Sequence, residues 1–159
     1  MLLWYVGVSV VAVHVVFRST GLDYRLVAIG ALSPLFVDLP FGHMAYGHTL
    51  LVAVGLLAAV MLATIGRPRL LRRRLLCLPI GVMAGLLLSG AFLHDQVILW
   101  PFVGDGFGDV ALIPALTPLV LAEGIGLACC GWAWGRFGLA ERARRSEFLR
   151  TGRLVEVAR

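Results

Sequence analysis

Five long apolar segments dominate this sequence and restrict the folds that are open to it. Apolar residues make up 60% of the chain and charged residues only 14%, too few to cover the surface of a soluble domain of this size. Each segment approaches the ~20 residues that a helix needs to cross a bilayer core, and lipid favours helices because it cannot pair free backbone groups. The predicted fold is therefore an all-α, polytopic bundle of about five transmembrane helices. The segments lie at residues 2–17, 25–43, 48–66, 75–100 and 111–135.

The positive charges predict the orientation of this bundle. All fourteen basic residues are arginine, and they occupy three regions, 18–25, 67–74 and 136–159. With five crossings these regions fall on one side of the membrane, which the positive-inside rule identifies as cytoplasmic. The N-terminus is then outside and the C-terminus cytoplasmic. We expect a multi-pass protein of the bacterial cytoplasmic (inner) membrane, with a transmembrane domain at 1–137 and a basic cytoplasmic tail at 138–159.

The basic loop and tail also raise the question of a nucleic-acid partner. The formal net charge is +5, but nothing in the sequence resembles a nucleic-acid-binding module. Arginines beside apolar segments anchor the topology and contact anionic lipid. The partner expected for these charges is therefore the lipid bilayer, and no nucleic acid is expected.

Ionisable side chains collect at the outer ends of the second and fourth segments. Asp38 lies about 20 Å along the second segment at 1.5 Å per residue, and His48 follows at the outer interface. His94 and Asp95 lie at the outer end of the fourth segment. Imidazole and carboxylate groups suit Zn, Mn or Fe, so Asp38 and His48 are candidate metal ligands, and His94 and Asp95 are candidate catalytic groups. The alternative is that all four are interfacial residues bonded to water and helix ends.

Two further ionisable groups lie deeper in the predicted membrane domain. His14 and Glu123 are each about 18 Å from the outer ends of their segments if the fifth begins near Ala111. An unpaired carboxylate near the bilayer centre is unfavourable, so we expect Glu123 to have a partner. A hydrogen bond between His14 and Glu123 meets this need, with a structural or a catalytic role equally open. Glu123 is a third candidate catalytic group, and His14 is a third candidate metal ligand.

Four stretches follow one another in the sequence: GLDYRLVAIGALSPLFVDLPFG, GHTLL, RPRLLRRR and GLLLSGAFLHDQVILWPF. Their order and spacing resemble the actinobacterial branch of the DUF457, or YdjM-like, family of membrane-bound metal-dependent hydrolases. The resemblance covers about residues 14–107 and implies a divalent metal (Zn, Mn or Fe) and a hydrolytic activity.

The match to the metal ligands of that family is incomplete. Asp38 and His48 occupy two of the positions at which the family pattern implies a ligand. Three further ligand positions of that pattern, for which the resemblance implies an aspartate, a histidine and an aspartate, fall on Leu35, Gly85 and Ser89. Leucine and glycine have no side-chain donor and serine is a weak ligand, whereas a catalytic zinc generally has three protein ligands.

Three functions are compatible with these features. The first is a hydrolase of the outer membrane face, in which a metal held by Asp38, His48 and either His94 or Asp95 lowers the pKa of a water that attacks a lipid or lipid-linked phosphoester. The second is a catalytically degenerate relative that serves as a scaffold or as the subunit of a membrane protein partner, and the replaced ligands favour it. The third is a small transporter component. The sequence shows no evident inverted repeats of the kind found in many transporters, so this function has the least support.

Overall fold

The chain folds into helices joined by short turns, which confirms the all-α prediction. The described residues contain no β-strand, although His43 and Ala111 form an isolated antiparallel bridge. The computed structural model describes residues 1–19, 21–104, 107 and 110–154. In chain order the helices are α1 (Trp4–Phe17), α2 (Tyr24–Asp38), α3 (Leu50–Ala63), α4 (Arg69–Leu75), α5 (Cys77–Ser89), α6 (Asp95–Ile98), α7 (Leu116–Arg136) and α8 (Arg142–Thr151).

Each predicted apolar segment contains one of the helices α1, α2, α3, α5 and α7. Among the described residues, α7 alone is long and apolar enough to cross a membrane by length and composition, and α1 and α3 are apolar but shorter. The second segment is interrupted because α2 ends at Asp38, before the turns of residues 39–49. The fourth is interrupted because Gly90 adopts a left-handed conformation with φ of 74° and ends α5 at Ser89.

Helices α2 and α5 share the most extensive contact of the bundle. Glycines lie where the two backbones touch: a Cβ on Gly30 would be 2.2 Å from the carbonyl oxygen of Leu78, and a Cβ on Gly85 would be 2.4 Å from that of Ala31. Since both distances are far below van der Waals contact, larger residues would force the helices apart. These glycines therefore set the spacing of α2 and α5.

Buried apolar side chains form two clusters along the bundle. One cluster includes Leu35 of α2 and Leu86 of α5. The other includes Tyr24 at the start of α2 and Phe137 just after α7. Many large apolar side chains remain exposed, particularly on α3 and α7. Extensive exposed apolar surface marks contact with lipid or with another protein.

One end of the bundle, here called the arginine end, comprises residues 21–25, 69–77 and 142–154. The start of α2, the start of α5 and helix α8 meet there. Arg74 Nε donates to a carboxylate oxygen of Asp23 at 2.8 Å, which ties the second of these regions to the first. The structure therefore brings basic regions that are far apart in the sequence to one place.

The opposite end, here called the histidine end, comprises residues 38–49, 90–104 and 110–115. The backbone N–H of Met44 donates to the carbonyl oxygen of Val110 at 2.9 Å, which joins the α2–α3 connection to the segment before α7. Helices α2, α3, α5 and α7 each run from one end to the other. The two ends are thus built from alternating connections of the chain.

Candidate functional site

Asp38 and His48, two predicted metal ligands, meet at the histidine end as a buried pair. Asp38 is the last residue of α2, and His48 ends a 3-10 turn, Tyr46–His48. His48 Nδ1 lies 2.6 Å from Asp38 Oδ2, and both side chains are completely buried. The structure therefore brings together the central pair of the predicted site.

The carboxylate of Asp38 accepts two more hydrogen bonds from the same loop. The backbone N–H of Ala45 donates to Oδ2 and that of Gly47 donates to Oδ1, each at 2.7 Å. A Cβ on Gly47 would lie 2.9 Å from Oδ1, so the missing side chain lets the loop close around the carboxylate. With three donors on two buried oxygens, Asp38 suits the role of orienting His48 and fixing the loop better than the predicted role of direct metal ligand.

Two buried ring nitrogens at the histidine end, His48 Nε2 and His94 Nδ1, have no hydrogen-bond partner among the described residues. Because His48 donates to Asp38 through Nδ1, its neutral tautomer leaves Nε2 as an acceptor. His94 directly precedes α6, which packs against the Tyr46–His48 turn. A buried polar atom without a partner is a candidate for contact with an ion or a water. These two nitrogens are therefore candidate metal donors at this end.

The chain bends after α5, and this bend determines where His94 and Asp95 lie. They follow Ser89 by five and six residues, more than one helical turn, so they can reach the ligand position at Ser89 only if the chain bends or unwinds there. The left-handed Gly90 and the 3-10 turn that follows it produce such a bend. The bend buries Nδ1 of His94, whereas Asp95 remains exposed and accepts a hydrogen bond from the backbone of Gln96 at 2.9 Å. His94 thus keeps a buried ring nitrogen at the histidine end, whereas the carboxylate of Asp95 faces away from the interior.

His14 lies at the arginine end, away from the pair formed by Asp38 and His48. Its Nδ1 is 3.3 Å from the Tyr24 hydroxyl, and its ring packs edge-on against Phe137 with the centroids 4.8 Å apart. Tyr24 and Asp38 are the first and last residues of α2, about 21 Å apart at 1.5 Å per residue. The prediction that His14 is a third metal ligand beside them is therefore corrected.

Glu123 has an ionic partner, as the sequence predicts, but that partner is not His14. The amino group of Met1 forms an ion pair with Oε1 of Glu123. Helix α7 begins at Leu116 rather than at Ala111, so Glu123 is about 10 Å from the start of its helix, instead of the 18 Å assumed from the sequence. The later start of α7 displaces Glu123 from the level of His14, and the predicted hydrogen bond between the two does not form.

The three positions at which the resemblance implies further ligands serve in packing. Leu35 belongs to a buried apolar cluster, and the Ser89 hydroxyl donates to the carbonyl oxygen of Leu86 at 2.9 Å. Gly85 contacts the backbone of Ala31, which leaves no room for a histidine. In residues 1–19, 21–104, 107 and 110–154, no group of three His, Cys, Asp or Glu side chains is placed to hold a metal ion. The donors there do not fit a catalytic centre with three protein ligands.

Compared with protein families, curated proteins and solved structures, the chain matches none of them. The resemblance to the DUF457 family consequently rests on the motifs quoted above.

A second polar cluster, which the sequence-based reasoning missed, is centred on Asp23 at the arginine end. Asp23 is buried and caps α2, and its Oδ2 accepts from Arg25 Nη2 at 3.0 Å and from Arg74 Nε at 2.8 Å. Burial raises the pKa of Asp23, but the hydrogen bonds from Arg25 and Arg74 outweigh it and hold that pKa below its ordinary value. An aspartate two residues before an arginine at the start of an apolar segment is the signal that could have revealed the cluster.

Proposed function

We propose that the chain is a multi-pass protein of the bacterial inner membrane, in which α1, α2, α3, α5 and α7 each cross the bilayer. The support is the alternation of the chain between two ends, with residues 21–25, 69–77 and 142–154, which together hold ten of the fourteen arginines, at the same end. By the positive-inside rule the arginine end is cytoplasmic, and the histidine end faces outward. Helices shorter than the ~20 residues of a full crossing are continued by the turns at their ends, such as residues 39–49.

Epitope tags test this topology. A tag inserted at Pro68 and a tag after residue 154 are expected to be inaccessible from outside intact spheroplasts, whereas a tag at residues 102–104 is expected to be accessible. Permeabilised cells provide the control, because all three tags should then react. Tags at Pro68 and after residue 154 on opposite sides of the membrane would contradict the five-crossing arrangement.

The function that the geometry favours is that of a membrane scaffold or partner subunit built on a hydrolase-like bundle. The observation that carries it is Gly85, whose position the resemblance assigns to a histidine ligand. In this chain that position is a backbone contact between α2 and α5, so a ligand side chain there is incompatible with the packing. Asp38 and His48 are likewise completely buried, which suits a pair that holds residues 39–49 together.

Helix α7 offers the surface that a membrane partner needs. In the described part of the chain, Gly124, Gly131 and Gly135 have no atom within 4 Å of the place where a Cβ would stand. Small residues on an exposed membrane helix allow a second helix to approach closely. A photo-crosslinker at Gly131 is therefore expected to yield a discrete protein adduct in native membranes. Adducts with lipid alone would contradict the partner-subunit role.

A metal-dependent hydrolase acting on a lipid or phosphoester at the outer face is the second candidate. The specific observation in its favour is the pair of buried nitrogens, His48 Nε2 and His94 Nδ1, that lack partners among the described residues. A divalent ion such as Zn, Mn or Fe accepts neutral imidazole ligands, and the Asp38–His48 hydrogen bond is the kind of contact that orients a metal-bound histidine.

The metal content of the purified protein separates these two candidates. The scaffold role predicts little metal, unchanged by His48→Ala and His94→Ala. The hydrolase role predicts near-stoichiometric metal that both substitutions remove. His43→Ala is the matched control, because His43 lies in the same loop and contacts the carbonyl oxygen of Met44 instead. Stoichiometric metal lost from the His48 and His94 variants, but kept by the His43 variant, would overturn the scaffold role.

A further inference from the structure

The arginine end contains a groove with a volume of about 560 Å³ that the proposed function does not use. Its lining comes from three separate parts of the chain: residues 21–23, then residues 68, 70, 71, 73 and 74, and finally residues 150, 151 and 153. We propose that this groove binds the phosphate group of an anionic ligand, either a lipid headgroup or a soluble phosphate. The arginines that line it are Arg73, Arg74, Arg150 and Arg153.

The single carboxylate in the lining does not neutralise this charge. Asp23 is the acidic residue among the described residues of the groove, and its one negative charge is shared between Arg25 and Arg74. Both arginines are thereby fixed against the start of α2. The Asp23 cluster therefore forms the rigid floor of the groove and leaves the other arginines without their own acidic partner.

Three arginines supply the uncompensated positive charge. Arg73 Nη2 contacts a neutral group, the Ser19 hydroxyl, at 2.6 Å. Arg150 and Arg153 are exposed and form no ion pair with a carboxylate in the described part of the chain. A guanidinium presents several N–H donors in a fixed plane and binds phosphate oxygens in pairs. Convergent arginines of this kind are the expected recognition elements for a phosphate.

Contacts with the backbone fix Arg73 and the end of α8, the segment that bears Arg150 and Arg153, before any ligand binds. The guanidinium of Arg73 lies over Gly21, where a Cβ would be 2.9 Å from its Cζ. Arg25 Nη1 donates to the carbonyl oxygen of Leu149 at 2.5 Å, which fixes the end of α8 beside α2. Gly152 then ends α8 with φ of 73°. Preorganisation of this kind reduces the entropy lost on binding.

The groove also has an apolar side. Leu70 and Leu71 line it and are 73% and 37% exposed. Arginines beside exposed apolar side chains at a cytoplasmic membrane surface fit a lipid whose headgroup carries a phosphate and whose chains remain in the bilayer. A soluble phosphate would use the same arginines without contacting the leucines.

The full chain in nanodiscs tests the proposal with two probes. The first is phosphatidylglycerol, titrated into phosphatidylcholine nanodiscs, and the second is inorganic phosphate added to pure phosphatidylcholine nanodiscs. Binding is measured as the rise in the unfolding midpoint. The groove variant is Arg150→Gln/Arg153→Gln. The control is Arg67→Gln/Arg69→Gln, which removes the same charge from the nearby loop without touching the groove lining.

We expect the groove variant to bind the effective probe roughly 30-fold more weakly, since each of the two arginines near the membrane surface contributes roughly a fivefold factor in affinity. The control should bind as the wild type does. Loss with phosphatidylglycerol alone identifies a lipid headgroup, and loss with inorganic phosphate identifies a soluble phosphate. Equal weakening of both variants, or no binding of either probe, would overturn the proposal.

Discussion

The two polar ends of the bundle hold charge in opposite ways. At the histidine end a single carboxylate, Asp38, is completely buried and accepts from three donors of its own loop. At the arginine end Asp23 is also buried, but the guanidinium of Arg74 that contacts it is 53% exposed. One end therefore closes upon itself, and the other leaves positive charge open to ligands.

This difference shows that the polar residues of this bundle are not equally informative about function. The histidine end contains the residue types expected at a catalytic metal, yet the carboxylate of Asp38 is fully occupied by three donors of its own loop. The arginine end contains residues that the positive-inside rule explains, yet it has the open groove. The two ends therefore differ in which groups keep donors and acceptors free for a ligand.

The largest effect is expected from Asp38→Ala at the histidine end. The substitution leaves the backbone N–H groups of Ala45 and Gly47 and the ring of His48 buried without their acceptor. Removing one member of a buried pair typically costs about 3–5 kcal/mol in the free energy of unfolding. Reversible unfolding in detergent measures this change.

Asp95→Ala is the matched control for Asp38→Ala, because Asp95 is an exposed carboxylate at the same end. Its effect should stay within about 0.5 kcal/mol. If the two variants were equally stable, the Asp38 pair would not hold the loop, and the contrast between the two ends would be lost.

A smaller effect is expected from Gly85→Ala, which tests whether Gly85 is a close contact between α2 and α5. The new Cβ would lie 2.4 Å from the carbonyl oxygen of Ala31, a backbone atom that moves only with the whole helix. Overpacking of this kind typically costs about 1–3 kcal/mol. Gly55→Ala in α3 is the control, since no neighbour lies within 4 Å there, and alanine favours a helix by up to about 1 kcal/mol.

Part of this architecture is predictable from the sequence, for identifiable physical reasons. Apolar segments are predictable because burial from water acts along the whole segment, and the meeting of Asp38 with His48 follows from their closeness in the chain. Helix ends are harder, since Gly90 and the start of α7 at Leu116 depend on local turn conformations. For this reason the depth of Glu123 relative to His14 was predicted wrongly, since α7 begins later than the sequence suggests.

Contacts between helices were not predicted from the sequence. Asp23 and Arg74 are far apart in the chain, and their hydrogen bond exists only because the starts of α2 and α5 pack together. Gly85 reads in the sequence as a lost ligand, whereas the structure shows it as a contact between helices. In both cases the missing information was the identity of the neighbouring helix.

The smallest effect concerns the arginine end and depends on pH. Hydrogen bonds from Arg25 and Arg74 hold the pKa of Asp23 below its ordinary value of 3.8, against the effect of burial. A carboxyl with a depressed folded-state pKa stabilises the fold above the unfolded-state value, and that stability is lost as the pH falls through the folded-state pKa. The difference in the free energy of unfolding between the wild type and Asp23→Asn should therefore be complete at neutral pH and shrink below about pH 4.

The size of this pH effect is limited by solvent. Because the Arg74 guanidinium is 53% exposed, water screens its attraction to Asp23, and the difference should be smaller than that caused by Asp38→Ala. Glu141→Gln is the control, since Glu141 pairs with Arg144 on the exposed surface and its removal should have little effect at any pH. A wild-type advantage over Asp23→Asn that persisted unchanged into strong acid would show that the cluster stabilises the fold by shape rather than by charge, and the two ends would then be alike.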